Sequence, residues 1–221
     1  MQNCLTHLLS DYSHGGIELL HSLVRPHRTT VSALHRQGTL VVLNGTSSSG
    51  KTSLAVELQR VAPELQLLHL QLDVFRAMEP PGCWSADYRN QAPLRLEALC
   101  RAMNKAASEF ARCGQNVLVD HVLSPAACRY MLEDLDRYRV LLVKVECGIE
   151  EAERREALRK DRKSGLARSQ LASVHAACSY DFEVDTTSRS ASELGPLLAD
   201  WLRGSPEPEA HIRMQRSRNA A

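Results

Sequence analysis

Apolar residues in this chain fall into short continuous runs separated by stretches in which they recur every third or fourth position. Leu40-Val-Val-Leu43 is an uninterrupted apolar, β-branched run that stops at Asn44-Gly45, the pattern of a strand buried on both faces. From Gly50 to Ala62 the period changes: Leu54, Ala55, Leu58 and Val61 share one helical face, and Pro63 ends the segment. Leu67–Leu72 predicts a second strand, and Pro93–Cys113 a long helix stopped by Gly114. Val117–Val119 predicts a third strand ending at Asp120. Ser124-Pro125 then joins a favoured N-cap to a favoured first helical residue. Val140–Val145 reads as a fourth strand, Glu150–Lys163 as a charged helix, Phe182–Val184 as a short fifth strand and Ser192–Leu202 as a last helix. Strands alternating with helices predict an α/β fold, a parallel sheet flanked by helices.

The two ends do not share this rhythm. Residues 1–38 carry five of the nine histidines and short amphipathic pieces, and are expected to form a helical N-terminal extension. A histidine metal site there is disfavoured. Successive spacings of 7, 7, 6 and 8 place no pair at i, i+3 or i+4, and Gly15-Gly16 interrupts any continuous helix. Gly204-Ser-Pro-Glu-Pro-Glu209 opens a polar stretch, so 204–221 is expected to be a flexible tail and 39–203 the main domain.

Composition narrows the class of molecule. At 221 residues and 43% hydrophobic, the chain can bury a core. Twenty-seven Lys and Arg against 26 Asp and Glu leave a net charge of +1, which argues against a strongly electropositive nucleic-acid binder. Seven cysteines, an odd number without a CxxC pair, argue against a disulfide framework or zinc site and for a reducing, cytoplasmic setting. Cys100, Cys113 and Cys147 sit in apolar company and are expected to be small buried hydrophobes. No secretory signal and no run of 18 apolar residues is visible, so no membrane partner is expected.

The strongest chemical signal is Gly45-Thr-Ser-Ser-Ser-Gly-Lys-Thr52, which matches G-x-x-x-x-G-K-[ST] at each fixed position, between a predicted strand and a predicted helix. Gly45, Thr46, Ser47, Ser48, Ser49 and Gly50 would turn backbone N–H groups inward around phosphate oxygens. Lys51 would reach the β- and γ-phosphates of ATP, and Thr52 would ligate Mg²⁺. Two acids end neighbouring strands. Asp120 is expected at the carboxyl edge beside the loop, as a partner of Mg²⁺ or as a turn residue. Asp73 follows the second strand, as a proton acceptor for an incoming hydroxyl or as a cap for the short segment behind it. Arg155, Arg159 and Arg162 recur at i, i+4 and i+7. They form either a solvated face or a cluster able to neutralise a transferring phosphoryl group.

Taken together, Leu43–Thr52, Leu72–Met78, Val117–Asp120, Arg155–Arg162 and Val174–Thr187 resemble the chloramphenicol phosphotransferase family of P-loop kinases, over about residues 39–203. The block with His175, Tyr180-Asp181 and Asp185-Thr-Thr187 is the most family-specific. The resemblance implies ATP- and Mg²⁺-dependent phosphorylation of a small-molecule hydroxyl, with Asp73 as general base, Lys51 and the loop on the triphosphate, and Arg159 and Arg162 from a lid. It leaves the acceptor, antibiotic or metabolite, and homo-oligomer formation open. Two features depart from the family: His121 stands where a second acid is common, and Glu79–Asn90 has no close match. Within that segment, Trp84 and Tyr88 either pack on a flat substrate or plug a loop. The competing readings are a 5′-hydroxyl nucleic-acid kinase, a non-catalytic nucleotide-binding module and a simple ATPase.

Overall fold

The computed structural model describes residues 37–159 and 165–220. Five strands, β1 (Thr39–Asn44), β2 (Leu68–Gln71), β3 (Val117–His121), β4 (Arg139–Glu146) and β5 (Phe182–Asp185), form one parallel sheet in the order β2-β3-β1-β4-β5. The connections hold α1 (Lys51–Val61), α2 (Leu72–Ala77), α3 (Ala92–Arg112), α4 (Pro125–Asp134), α5 (Ile149–Ala157), α6 (Leu166–Leu171), α7 (Ala191–Arg203) and α8 (Glu209–Ala220). β1 lies in the middle because each of Leu40, Val41, Val42 and Leu43 is apolar and must be covered on both faces; none is more than 1% exposed. Val41 and Leu43 pack with Leu54 and Leu58 of α1 and Leu194 and Leu198 of α7. Leu40 and Val42 face the other layer, with Met103 of α3 and Met131 of α4. Burying each such side chain contributes about 1.5–3 kcal/mol. No helix among the described residues is long and apolar enough to cross a membrane.

Three expectations are corrected. The segment after Gly204 is not loose throughout: Glu209–Ala220 is helical and docks on the sheet, with Ala210, His211 and Met214 buried. The Asp181 carboxylate accepts from Leu142 N–H of β4 at 2.8 Å and from Ala210 N–H in the first turn of α8 at 2.7 Å, so one side chain ties the helix to the strand. Its buried stripe is only three residues wide, too narrow to stand out in a polar sequence. The charged helix α5 ends at Ala157, before Arg159, rather than running to Lys163, and α6 was not anticipated at all. Cys100 and Cys147 are buried as expected, but Cys113, the C-cap residue of α3, is exposed. Of the helical extension expected at residues 1–38, residues 1–36 lie outside the described residues.

Candidate active site

β1 delivers the chain straight into the glycine-rich loop. At Gly45 an added Cβ would meet Val145 O at 2.3 Å and Ser49 Oγ at 2.6 Å, so only glycine fits between loop and sheet. Gly50 has φ +89° and Ser48 φ +60°, left-handed conformations that reverse the chain so that α1 starts at Lys51. Thr46, Ser47 and Ser49 are at most 4% exposed. Lys51 folds back over the loop: its Nζ donates to Thr46 O at 2.7 Å and Gly45 O at 3.0 Å, and lies 3.9 Å from Asp120 Oδ1. Thr52 Oγ1 donates to Asp120 Oδ2 at 2.5 Å. The sheet register explains this meeting, since Asp120 of β3 lies level with Leu43 at the end of β1.

The segment 174–187 braces the loop from behind. Asn44, fully buried, donates to Val174 O and Tyr180 Oη, both at 2.7 Å, and accepts from Leu123 N–H at 2.8 Å. Tyr180 Oη in turn lies 2.6 Å from His175 Nδ1. Thr186 Oγ1 donates to Ser49 O at 2.7 Å, and Arg155 donates to Thr186 O at 2.5 Å. Arg155 Nη1 would stand 3.3 Å from a Cβ at Gly50. Arg155 therefore sits against the phosphate loop, a place its position on the charged helix did not single out. Glu156, 2% exposed, accepts from Gly165 N–H at 2.7 Å and Ala167 N–H at 3.0 Å, which joins α5 to the start of α6.

These groups open on one cleft of about 850 Å³. On one side stand the loop, Arg155, Thr186 and Arg189; on the other stand Asp73, Arg76, Trp84, Glu97, His121 and Tyr130. Asp73 occupies the first turn of α2, half-exposed, with Arg76 Nη1 at 3.9 Å; Gln71 is the N-cap and no side chain caps the helix, so Asp73 is not a cap, and it lines the cleft. Arg159, just past α5, lines the cleft. Arg162 lies outside the described residues. Trp84 forms part of the wall, its Nε1–H on Glu79 Oε2 at 2.5 Å and the Arg76 guanidinium 4.4 Å over its ring; Tyr88 is exposed and forms no part of it.

His121 is 2% exposed. Burial pushes its imidazole down to about 4, a shift that the Val122 hydrogen bond opposes and Lys51 reinforces, so the ring is neutral at pH 7. Its Nδ1 accepts from Val122 N–H at 2.8 Å, which puts the proton on Nε2, and that atom has no partner among the described residues. Where a second acid would add negative charge, this chain has a neutral donor. Among the described residues no group of three or more His, Cys, Asp or Glu could hold a metal ion. The oxygen pair of Thr52 and Asp120 is the candidate for magnesium, a hard cation that takes few protein ligands. Gln170 and Arg189 were missed by sequence reasoning; nothing in their local sequence signals a cleft.

The profile of the family described as "Chloramphenicol phosphotransferase-like protein" matches residues 38–203. Two Mycobacterium tuberculosis proteins, each named "Putative O-phosphotransferase", are 31% identical over 215 residues, covering 86% of this chain and 93% of theirs. Among solved structures, the Mycobacterium tuberculosis APS kinase in complex with AMPPNP and APS has a TM-score of 0.53 at 21% identity, covering 76% of this chain and 98% of its own. Shikimate kinase from Acinetobacter baumannii in complex with shikimate has 0.53 at 10% identity, covering 77% and 96%. At such identities the likeness is one of fold, and the fold is that of P-loop kinases.

Proposed function

The chain belongs to the chloramphenicol phosphotransferase-like family, and from that premise we propose that it transfers the terminal phosphoryl group of ATP to a hydroxyl of a small molecule, an antibiotic-like alcohol or a metabolite. One observation carries the reading: the phosphate loop with Lys51 and the Thr52–Asp120 pair opens on the same cleft as the carboxylate of Asp73. Residues 45–52 would hold the triphosphate, with backbone N–H groups and the positive end of α1 facing it. The two oxygens of Thr52 and Asp120 fit a magnesium ion, which when bound supplies positive charge against the phosphates.

The remaining chemistry belongs to the chain. Asp73 takes the proton of the acceptor hydroxyl as its oxygen forms a bond to the γ-phosphorus, and the bond from that phosphorus to the β-γ bridging oxygen breaks to release ADP. Lys51 and Arg159 neutralise charge on the moving phosphoryl group. The acceptor wall combines Leu96, Trp84 and Ala127 with the polar tips of Asp73, Arg76 and His121, which suits a small organic alcohol carrying both apolar and hydrogen-bonding parts. The test is mass spectrometry of the protein with Mg·ATP, chloramphenicol and a panel of hydroxyl-bearing antibiotics and metabolites, with Asp73→Asn alongside. A phosphate mass gain lost in the variant supports the reading. ATP binding without transfer to any acceptor, 5′-hydroxyl oligonucleotides included, would move the weight to a nucleotide-binding module.

A further inference from the structure

Ser47 N–H, in the first limb of the phosphate loop, donates to Gln170 Oε1 of α6 at 2.6 Å. A backbone N–H only donates, so this contact fixes which end of the amide faces the loop: the oxygen points at Ser47 and the nitrogen away from it. Gln170 also forms part of the cleft wall. Its Nε2 group has no hydrogen-bond partner among the described residues. A tie between α6 and the loop needs only the oxygen. It leaves two N–H donors on an anchored side chain at the edge of the nucleotide site.

Position along the loop says which phosphate these donors would meet. Ser47 follows Thr46, whose carbonyl holds Lys51 Nζ at 2.7 Å. The lysine of such a loop serves the β- and γ-phosphates, and its shorter bonds are to this limb, with Ser49 Oγ of the other limb at 3.5 Å; we take this limb as the side of the terminal phosphate. Thr186 and Arg155 brace the opposite limb, at Ser49 and Gly50. We propose that Gln170 is a phosphoryl-binding residue: with Oε1 held on Ser47 N–H, its Nε2–H donates to an oxygen of the terminal, transferable phosphoryl group of the nucleotide. The anchored amide keeps one rotamer, so little side-chain freedom is lost on binding, and a fixed neutral donor is placed where negative charge accumulates. The inference rests on the nucleotide-binding part of the proposed function, not on any particular acceptor.

The test is equilibrium binding of ADP and of AMPPNP, each with Mg²⁺, to the full chain and to Gln170→Met and Gln170→Glu. Methionine keeps the length and removes both polar ends. Glutamate keeps an oxygen for Ser47 N–H and removes the donor. AMPPNP binding is expected to weaken about tenfold in Gln170→Met, the size of one hydrogen bond to a charged group, and further in Gln170→Glu, while ADP stays within about twofold in both. Retained ADP binding also shows that each variant is folded. Equal losses for both nucleotides would overturn the inference and make Gln170 a loop tie alone. Unchanged or tighter AMPPNP binding would overturn it outright. A native protein that binds neither nucleotide would overturn the kinase reading together with this one, whereas normal native binding with insensitive variants overturns this one alone.

Discussion

The two sides of the cleft are built in opposite ways. The side proposed for the nucleotide comes mainly from eight consecutive residues, 45–52, most of them buried, with Lys51 held by carbonyls five and six positions away. The side proposed for the acceptor gathers Asp73, Trp84, Glu97, His121 and Tyr130 from separate segments, and Asp73 is half-exposed. The first is set by local backbone geometry and braced by a buried network through Asn44 and Thr186. The second is set by how α2, α3 and α4 pack against the sheet. On the proposed reading, the side that holds a constant donor needs a rigid loop, and the side that faces a varying acceptor is the one whose residues can change without altering that loop.

Substitutions sharpen that contrast. The largest effect is expected from Asp73→Asn, which should lower kcat by about 10²–10⁴ while ADP affinity stays within about twofold in calorimetry. A variant with normal turnover would remove Asp73 from the chemistry. Lys51→Met should lower turnover by about 10²–10³ and weaken nucleotide binding as well, since it acts on the phosphate loop. If Lys51→Met left nucleotide affinity intact, the assignment of the two sides would fail.

A control lies outside both sides. Burial lowers the His211 pKa to about 4, with Asp136 opposing and Arg218 adding to the shift. The unfolded chain has an ordinary histidine value near 6.5 and binds more protons between these limits, so the stabilisation is complete above about pH 6.5 and is lost as pH falls toward 4. The loss is at most about 3 kcal/mol from this group. Denaturant unfolding at pH 7.5 and 4.5 should show a smaller drop for His211→Leu than for the native chain. Equal drops would mean that α8 does not bury the ring.

Thr186→Val removes the hydroxyl that donates to Ser49 O and should weaken ADP and AMPPNP alike by about tenfold, the cost of one buried hydrogen bond. A loss confined to the acceptor KM would place Thr186 on the wrong side. The smallest effect is expected for Trp84→Phe, which keeps an aromatic ring, though a smaller one, and loses the bond to Glu79: acceptor KM should rise by about two- to fivefold with ADP binding unchanged. Steady-state kinetics at saturating ATP checks it.

The phosphate loop was legible because its meaning is local. Glycines at two fixed places, a lysine and a threonine carry the geometry within one turn of chain, and β1 and α1 announce themselves by period. Asp120 was legible for a similar reason, as the polar residue that ends an apolar run. The arginines were harder. Three at helical spacing looked equivalent, yet Arg155 braces the loop through Thr186 while Arg159 lies beyond the helix end on the cleft wall. Composition could not separate a docked α8 from a solvated tail, because its anchor is Asp181, far away in sequence.

The strand–helix alternation, the glycine-rich loop between β1 and α1 and the two acids at strand ends could be read from the chain alone. These follow from side-chain periods of two and 3.6 and from backbone angles that particular residues allow. Gln170 meeting Ser47, Asn44 meeting Tyr180, the burial of His121 and the docking of α8 on the sheet emerge only in the folded chain. Each of those depends on residues tens to more than a hundred positions apart. Such contacts form only when buried polar groups must find partners within a packed core, a condition imposed by the whole fold and carried by no short stretch of it.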